Sequence, residues 1–216
     1  MEKQKKAIVL NAGPRKNWNT ALMLRAAQEG AEAAGAVTEY VDLYDLNFTG
    51  CRSCLACKRK GAERNKCYWN DDLSPLIEKI LQADAMFIGA PIYLDQPAAQ
   101  FRAVIERLGF CVLSYDGGPH YFEGKLNVGV IYTMNAPRER YDTVYKSLFV
   151  ENTEKTFARL LHGEVRSCAA CNTLQVEDYS LYNMARFNEQ ERRASREQQF
   201  PLDLQEAFKL GMALTE

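Results

Sequence analysis

Two groups of residues in this chain have the types and spacing that chemistry needs. The first is residues 7–20, Ala-Ile-Val-Leu-Asn-Ala-Gly-Pro-Arg-Lys-Asn-Trp-Asn-Thr; the second is Cys51-x2-Cys54-x2-Cys57 with Cys67 beyond it. In the first, an apolar run from Ile8 to Leu10 passes into a loop with Gly13, Pro14, Arg15 and Lys16, and a helical pattern starts at Asn19–Thr20. A strand that turns onto a helix N-terminus presents unpaired backbone N–H groups and the positive end of the helix dipole, which suits a phosphate. Arg15 adds a forked cation, and Asn17, Asn19 and Thr20 add neutral donors. An ordinary strand-to-helix turn with an Asn or Thr cap is the plainer alternative.

The loop lacks Gly-x-x-x-x-Gly-Lys-Ser/Thr, which disfavours a triphosphate cradle, and Gly-x-Gly-x-x-Gly, which disfavours a dinucleotide. A single terminal phosphate suits it better, as in a mononucleotide such as FMN.

The cysteine group puts three thiols within seven residues, close to the start of a ferredoxin-type ligand run. Cys67 follows after nine intervening residues. A [4Fe–4S] cluster, zinc, and unligated structural or redox thiols all remain open. Lys58, Arg59, Lys60, Arg64 and Lys66 lie around these cysteines, so lowered thiolate pKa values, attraction of anionic partners, or a merely solvated basic loop are the alternatives. Of the other cysteines, Cys168-x2-Cys171 falls in or beside an expected strand and reads as buried, and Cys111 stands alone. Seven cysteines, unevenly placed, argue against a disulfide framework. His120 and His162 join no triad and are assigned no catalysis.

These residues must be positioned by a scaffold, and the chain offers an alternating one. Apolar runs predict strands near residues 7–10, 37–43, 83–91, 126–134 and within 165–176, the second with charges that suit an edge. Between them, helical spacing recurs through Leu22–Ala27, Leu73–Ile80 behind Asp71 and Asp72, Ala98–Leu108 and about 143–161; a terminal helix is marked by Leu204, Phe208 and Met212. Residues 187–196 read as a charged, polar tail. The whole is a single α/β domain over 1–216, a doubly wound five-stranded parallel sheet, with a Cys-rich insertion at about 45–70 and a C-terminal helical tail. Ligands of such sheets sit beyond the carboxyl ends of the strands. That rule groups the first loop with Pro91, Ile92 and Tyr93 after the third strand and with Thr133, Met134 and Asn135 after the fourth. Tyr93 could pack its ring against a flat cofactor.

The order of these segments resembles the NADPH-dependent FMN reductase family of flavodoxin-like proteins, including its iron–sulfur flavoprotein branch. The resemblance rests on Leu10–Thr20, on Cys51–Cys57 with Cys67 and Asp71-Asp72, and on Ala83 to Tyr93. Asn172–Val176 and Asp178-Tyr179 are consistent with it. It implies a sheet ordered 2-1-3-4-5, bound FMN with NAD(P)H as co-substrate, and commonly a homodimer. Two departures stand out: Ala12-Gly13 replaces the family's usual Gly-Ser, and Trp18 replaces a usual Gly.

The expected activity is electron transfer from NAD(P)H through FMN to a small acceptor, a flavin, a quinone or similar. No side chain is nominated as acid or base, since the flavin carries that chemistry. Gly13, Arg15, Asn17, Asn19 and Thr20 are expected at the phosphate, and Pro91, Ile92, Tyr93, Thr133, Met134 and Asn135 at the ribityl chain and ring. The alternative is a flavin carrier, with or without a cluster, that exchanges electrons with a protein such as a ferredoxin. A flavodoxin-like scaffold without cofactor is a third reading, motivated by Ala12-Gly13 and Trp18. A net charge of −1, from 27 basic and 28 acidic residues, offers no bulk attraction for nucleic acid or anionic membrane. The start is basic (Lys3, Lys5, Lys6), but its apolar run is too short for a signal segment, and no run approaches a membrane span. A cytoplasmic location and a homo-oligomer, for which Phe110–Leu113 is one candidate face, complete the expectation.

Overall fold

Continuous apolar runs become the central strands because both of their faces are covered. In the computed structural model, which describes residues 4–216, the parallel strands are β1 (Lys6–Asn11), β2 (Val37–Asp42), β3 (Ala85–Tyr93), β5 (Leu126–Thr133) and β6 (His162–Ala170). Lys3, part of the basic start, lies outside the described residues. A two-residue strand β4 (Gln96–Pro97) folds back antiparallel on β3 through Ile92↔Pro97 and Tyr93↔Gln96. The sheet order is β2-β1-β3-β5-β6, which is 2-1-3-4-5 when only the parallel strands are counted. This is the flavodoxin-like order, with β2 at the edge as its charges suggested.

Alternate side chains of each strand enter opposite cores. Ala7, Val9, Phe87 and Ile131 pack beneath helices α1 (Asn19–Ala33) and α7 (Phe200–Thr215). Ile8, Leu10, Met86, Ile88 and Val130 face the other way. They meet α2 (Leu73–Leu81), α3 (Ala99–Val112), a π-helical stretch (Tyr141–Val150) and α5 (Glu151–Leu161). Helices α1 and α7 cross at glycine: a Cβ on Gly30 would stand 2.0 Å from the Phe208 carbonyl oxygen, and one on Gly211 2.0 Å from that of Ala27.

Two local readings are corrected and a third is sharpened. The helix expected from about 143 begins earlier, as a short α4 (Arg138–Arg140) that runs straight into the π stretch. Strand β6 starts at His162, directly after α5, rather than at Val165. The polar tail is itself helical: α6 (Glu189–Gln198) is capped by Asn188, whose side chain accepts from the Glu191 N–H at 3.3 Å. It buries one residue, Arg192, so no apolar stripe announced it. No helix is long and apolar enough to cross a membrane, among the described residues.

Candidate functional site: a cavity at the carboxyl ends of the strands

The end of β1 is ordered by a buried amide. Asn11 Nδ2 donates to Asp42 Oδ1 at 2.8 Å, and its Oδ1 accepts from the Gly13 N–H at 2.9 Å, while the Ala12 N–H donates to the Gly89 carbonyl at 2.8 Å. The loop is thus clamped between β2 and β3 before it reaches α1. Gly13 has little room for a side chain: a Cβ there would meet Asn11 Oδ1 at 3.1 Å and Thr20 Cβ at 3.2 Å. That crowding gives a local reason for glycine where the family usually carries serine.

Helix α1 opens at Asn19 with no side chain capping it, so its first-turn N–H groups remain available. Trp18, instead of filling the loop, turns toward the segment after β6 and donates Nε1–H to the Leu174 carbonyl at 3.1 Å; Asn19 Nδ2 donates to the same oxygen at 2.9 Å. The Arg15 guanidinium lies 4.2 Å from the centre of the Trp18 ring, and its Nη1 donates to the Gln175 carbonyl at 2.7 Å. Thr20 Oγ1 and Thr133 Oγ1 share a hydrogen bond of 2.7 Å, tying the start of α1 to the end of β5.

These residues enclose one cavity together with Pro91, Ile92, Tyr93, Met134 and Asn135. Every residue expected at the phosphate, ribityl chain or ring therefore lines it, with a single exception: Asn17 is exposed and stands outside the lining. Thr173 and Gln175, after β6 and outside the expected set, line the cavity too. The same carboxyl-end rule, applied to the fifth parallel strand, would have found them. Thr173 is fixed by its Oγ1–H and its N–H, both donating to the Met134 carbonyl, at 3.1 and 3.0 Å. Neither histidine touches the cavity. His120 accepts from the Ser114 N–H at 3.3 Å, and His162 stacks against Phe122.

The cysteine group stands elsewhere. Cys51, Cys54, Cys57 and Cys67 line a second, apolar pocket with Cys111, over helix α3. Its floor is Arg107, almost wholly buried, which pairs with Asp71 through bonds of 2.7 and 2.9 Å and donates Nε–H to Cys67 Sγ at 3.1 Å. Burial alone would raise the Asp71 pKa, but the Arg107 contacts outweigh it and hold the carboxyl below its usual range. The donor set is right in kind for an iron–sulfur cluster, yet no three of these side chains converge at metal-ligand spacing, among the described residues. As arranged here the thiols do not fit a cluster.

The basic residues around them do not activate Cys57. Burial pushes its thiol up, with Lys58 only partly opposing. Lys58 itself is folded inward, donating to the Phe110 and Leu113 carbonyls beneath the rings of Phe110 and Tyr121. Arg64 stacks on Tyr121, and Lys66 pairs with Glu63. Cys111, Cys168 and Cys171 are buried, and burial raises the Cys111 thiol to about 12 and that of Cys171 to about 11.

A parallel sheet ordered 2-1-3-4-5, with an uncapped helix start and four strand ends around one cavity, defines a flavodoxin-like α/β protein. More narrowly, residues 5–150 match the family described as NADPH-dependent FMN reductase, about two thirds of the chain, and the protein belongs to that family. An iron–sulfur flavoprotein of Methanocaldococcus jannaschii is 30% identical over 118 residues, 52% of this chain and 59% of the relative. Another, of Methanosarcina thermophila, is 30% identical over 98 residues, 45% of this chain and 49% of the relative. The chain thus spans only about half the length of the curated relatives it matches. Among solved structures, an NAD(P)H:quinone oxidoreductase from Methanothermobacter marburgensis superposes with a TM-score of 0.69 at 18% identity, covering 99% of this chain and 98% of that one. An FMN-dependent NADH-azoreductase from Bacillus anthracis in complex with FMN gives 0.64 at 12% identity, covering 98% and 100%. At those identities the likeness concerns the fold.

Proposed function

We propose that this protein is an FMN-dependent oxidoreductase that passes electrons from NAD(P)H to a small acceptor of the quinone type. The observation that carries the proposal is the convergence of the uncapped α1 start, Arg15, Thr20 and the ends of β3 and β5 on one cavity. Bound FMN would supply the redox chemistry, accepting a hydride equivalent from NAD(P)H and delivering two electrons to the acceptor, which gains two protons to become the reduced product. The chain binds and orients. First-turn N–H groups and the Arg15 guanidinium meet the phosphate dianion, Thr20 and Thr133 offer hydroxyls beside it, and Pro91, Ile92, Tyr93, Met134 and Asn135 wall the ribityl chain and ring. For Arg15, this requires exchanging the Gln175 carbonyl for a phosphate oxygen. Membership of the family and the likeness to an azoreductase solved in complex with FMN support the cofactor; the quinone oxidoreductase neighbour supports the acceptor class.

The test is uptake of added FMN, followed by flavin absorbance and fluorescence, then oxidation of NADPH and NADH with a benzoquinone acceptor. Saturable FMN binding and quinone-dependent turnover are expected. A chain that takes up no FMN refutes the proposal.

A second reading is a flavin carrier without a cluster that serves a partner such as a ferredoxin; the names of the curated relatives favour it. Slow NAD(P)H turnover beside rapid reduction by ferredoxin would replace the first reading.

A further inference from the structure

A wide cleft opens beside the nucleotide cavity and shares Ile92, Met134 and Asn135 with it, so anything lying in the cleft abuts the residues assigned to the flavin ring. Its charged lining is unbalanced: Arg140, Arg186 and Arg192 face a single carboxylate, Asp95. Arg140 is already satisfied, its Nη2 donating to both Asp95 oxygens at 3.0 and 3.1 Å and its Nε to the Tyr145 hydroxyl at 3.0 Å. The other two cations have no such partner. Arg186 is exposed and pairs with no carboxylate, among the described residues.

Arg192 is the unusual one. Its side chain is 9% exposed, yet it is held by neutral amides: Nε donates to Asn135 Oδ1, and Nη1 to Asn172 Oδ1 at 3.1 Å. The nearest carboxylate, Glu191, is 3.9 Å away and itself 66% exposed. Nη2 has no protein acceptor among the described residues, and it is not sealed from solvent, so the free edge of a lining guanidinium remains for something in the cleft. Placing a permanent cation there without a buried counter-charge costs desolvation energy, which an anionic ligand would offset. The neutral amides fix the fork without neutralising it, and they leave its geometry suited to a planar or tetrahedral oxyanion.

We propose that this cleft is an anion subsite, in which Arg192, assisted by Arg186, selects substrates bearing a carboxylate, sulfonate or phosphate alongside the reducible or oxidisable ring. The inference rests on the flavin-dependent reading above, and it names the substrate class of that site. The anion has two sources: an acidic group on the acceptor, or the 2′-phosphate of NADPH.

The experiment uses the FMN-loaded full chain with matched pairs. 1,4-Naphthoquinone is compared with 1,4-naphthoquinone-2-sulfonate, and NADPH with NADH, in wild type, Arg192→Met and Arg186→Gln. Binding of 2′,5′-ADP against 5′-AMP is measured alongside by calorimetry. Loss of one charge-assisted contact predicts a fall of about tenfold or more in the kcat/KM preference for the anionic member of a pair in Arg192→Met. A smaller fall, about two- to fivefold, is expected in Arg186→Gln, whose exposed charge is screened. A fall in the sulfonate preference alone assigns the subsite to the acceptor. A fall in NADPH preference with weakened 2′,5′-ADP binding assigns it to the nicotinamide donor. Because Arg192 also orients Asn135, its variant could disturb the cavity; Arg186 touches no cavity residue by hydrogen bond and reads the charge alone. Both preferences unchanged in both variants, in chains that bind FMN and reduce naphthoquinone, overturns the subsite while leaving the oxidoreductase reading intact. A wild-type chain that takes up no FMN overturns both.

Discussion

The strand-end cavity and the cysteine pocket lie on one molecule but are held together by opposite means. The cavity is assembled from backbone: strand ends in fixed register, a loop clamped by Asn11, and a helix start whose donors need no side chain. The cysteine pocket lies over an irregular segment with only one short 3-10 turn (Ala56–Lys58), and much of its order runs through Arg107. That guanidinium joins Asp71, the Ser74 hydroxyl, the Thr49 carbonyl and Cys67. A site supported by a sheet keeps most of its geometry when a lining side chain such as Arg15 is removed. One supported by a buried ion pair does not.

The sharpest break is therefore Arg107→Ala. Removing one partner leaves the Asp71 carboxylate poorly exposed and uncompensated, and a loss of about 3–5 kcal/mol in unfolding free energy is expected by urea titration. A loss below about 1 kcal/mol would show that the segment does not depend on this pair. The same pair has a pH signature. Because the folded Asp71 pKa lies below its unfolded value, its contribution is fully present above about pH 4 and is lost as pH falls through the lower, folded value. Unfolding titrations from pH 6 downward should show a steeper acid loss in wild type than in Asp71→Asn.

In the cavity, Arg15→Ala is expected to leave stability nearly unchanged but to weaken FMN about 10- to 150-fold, the equivalent of a charge-assisted hydrogen bond of about 1.5–3 kcal/mol. Riboflavin, which lacks the phosphate, should be weakened much less; equal weakening of both would move the phosphate away from this loop. Smallest is Thr20→Val, which removes one neutral hydrogen bond. About 0.5–1.5 kcal/mol in FMN affinity is expected by fluorescence titration, again with little change in riboflavin binding.

The contrast also explains what could be read from the residues alone. Strands such as Met86–Ile88 and Val128–Ile131 announce themselves because both faces are buried, and a parallel sheet then dictates where its strand ends meet. Hence loops distant in sequence fall into one group from the strand pattern alone. Side-chain organisation carried no such signal. Helix α6 has a single buried residue and no apolar period, and only the Asn188-x-x-Glu191 capping pattern marks its start. With α6 unread, Arg192 and the Arg196 contact to Asn19 at 3.1 Å were invisible. The π stretch is equally hidden, since an extra residue per turn leaves the apolar spacing of Tyr141, Tyr145 and Phe149 nearly helical. The role of Asp71 was half legible: it accepts from the Leu73 N–H at 3.2 Å as an acidic helix start should, but its pairing with Arg107 spans 36 positions.

The glycine crossing of α1 and α7 carries a consequence in time as well as space. Helix α1, whose amino end forms one wall of the cavity, buries Ala27 and Ala31 against residues 200–215, and at Gly30 and Gly211 the two backbones touch. A polypeptide growing from its amino end therefore makes this helix early, yet leaves the side of it that meets α7 wet until α7 has left the ribosome. Cofactor capture should lag behind synthesis of the other cavity walls, and ribosome-held chains stopped before and after residues 200–215, probed for FMN retention, would show the step.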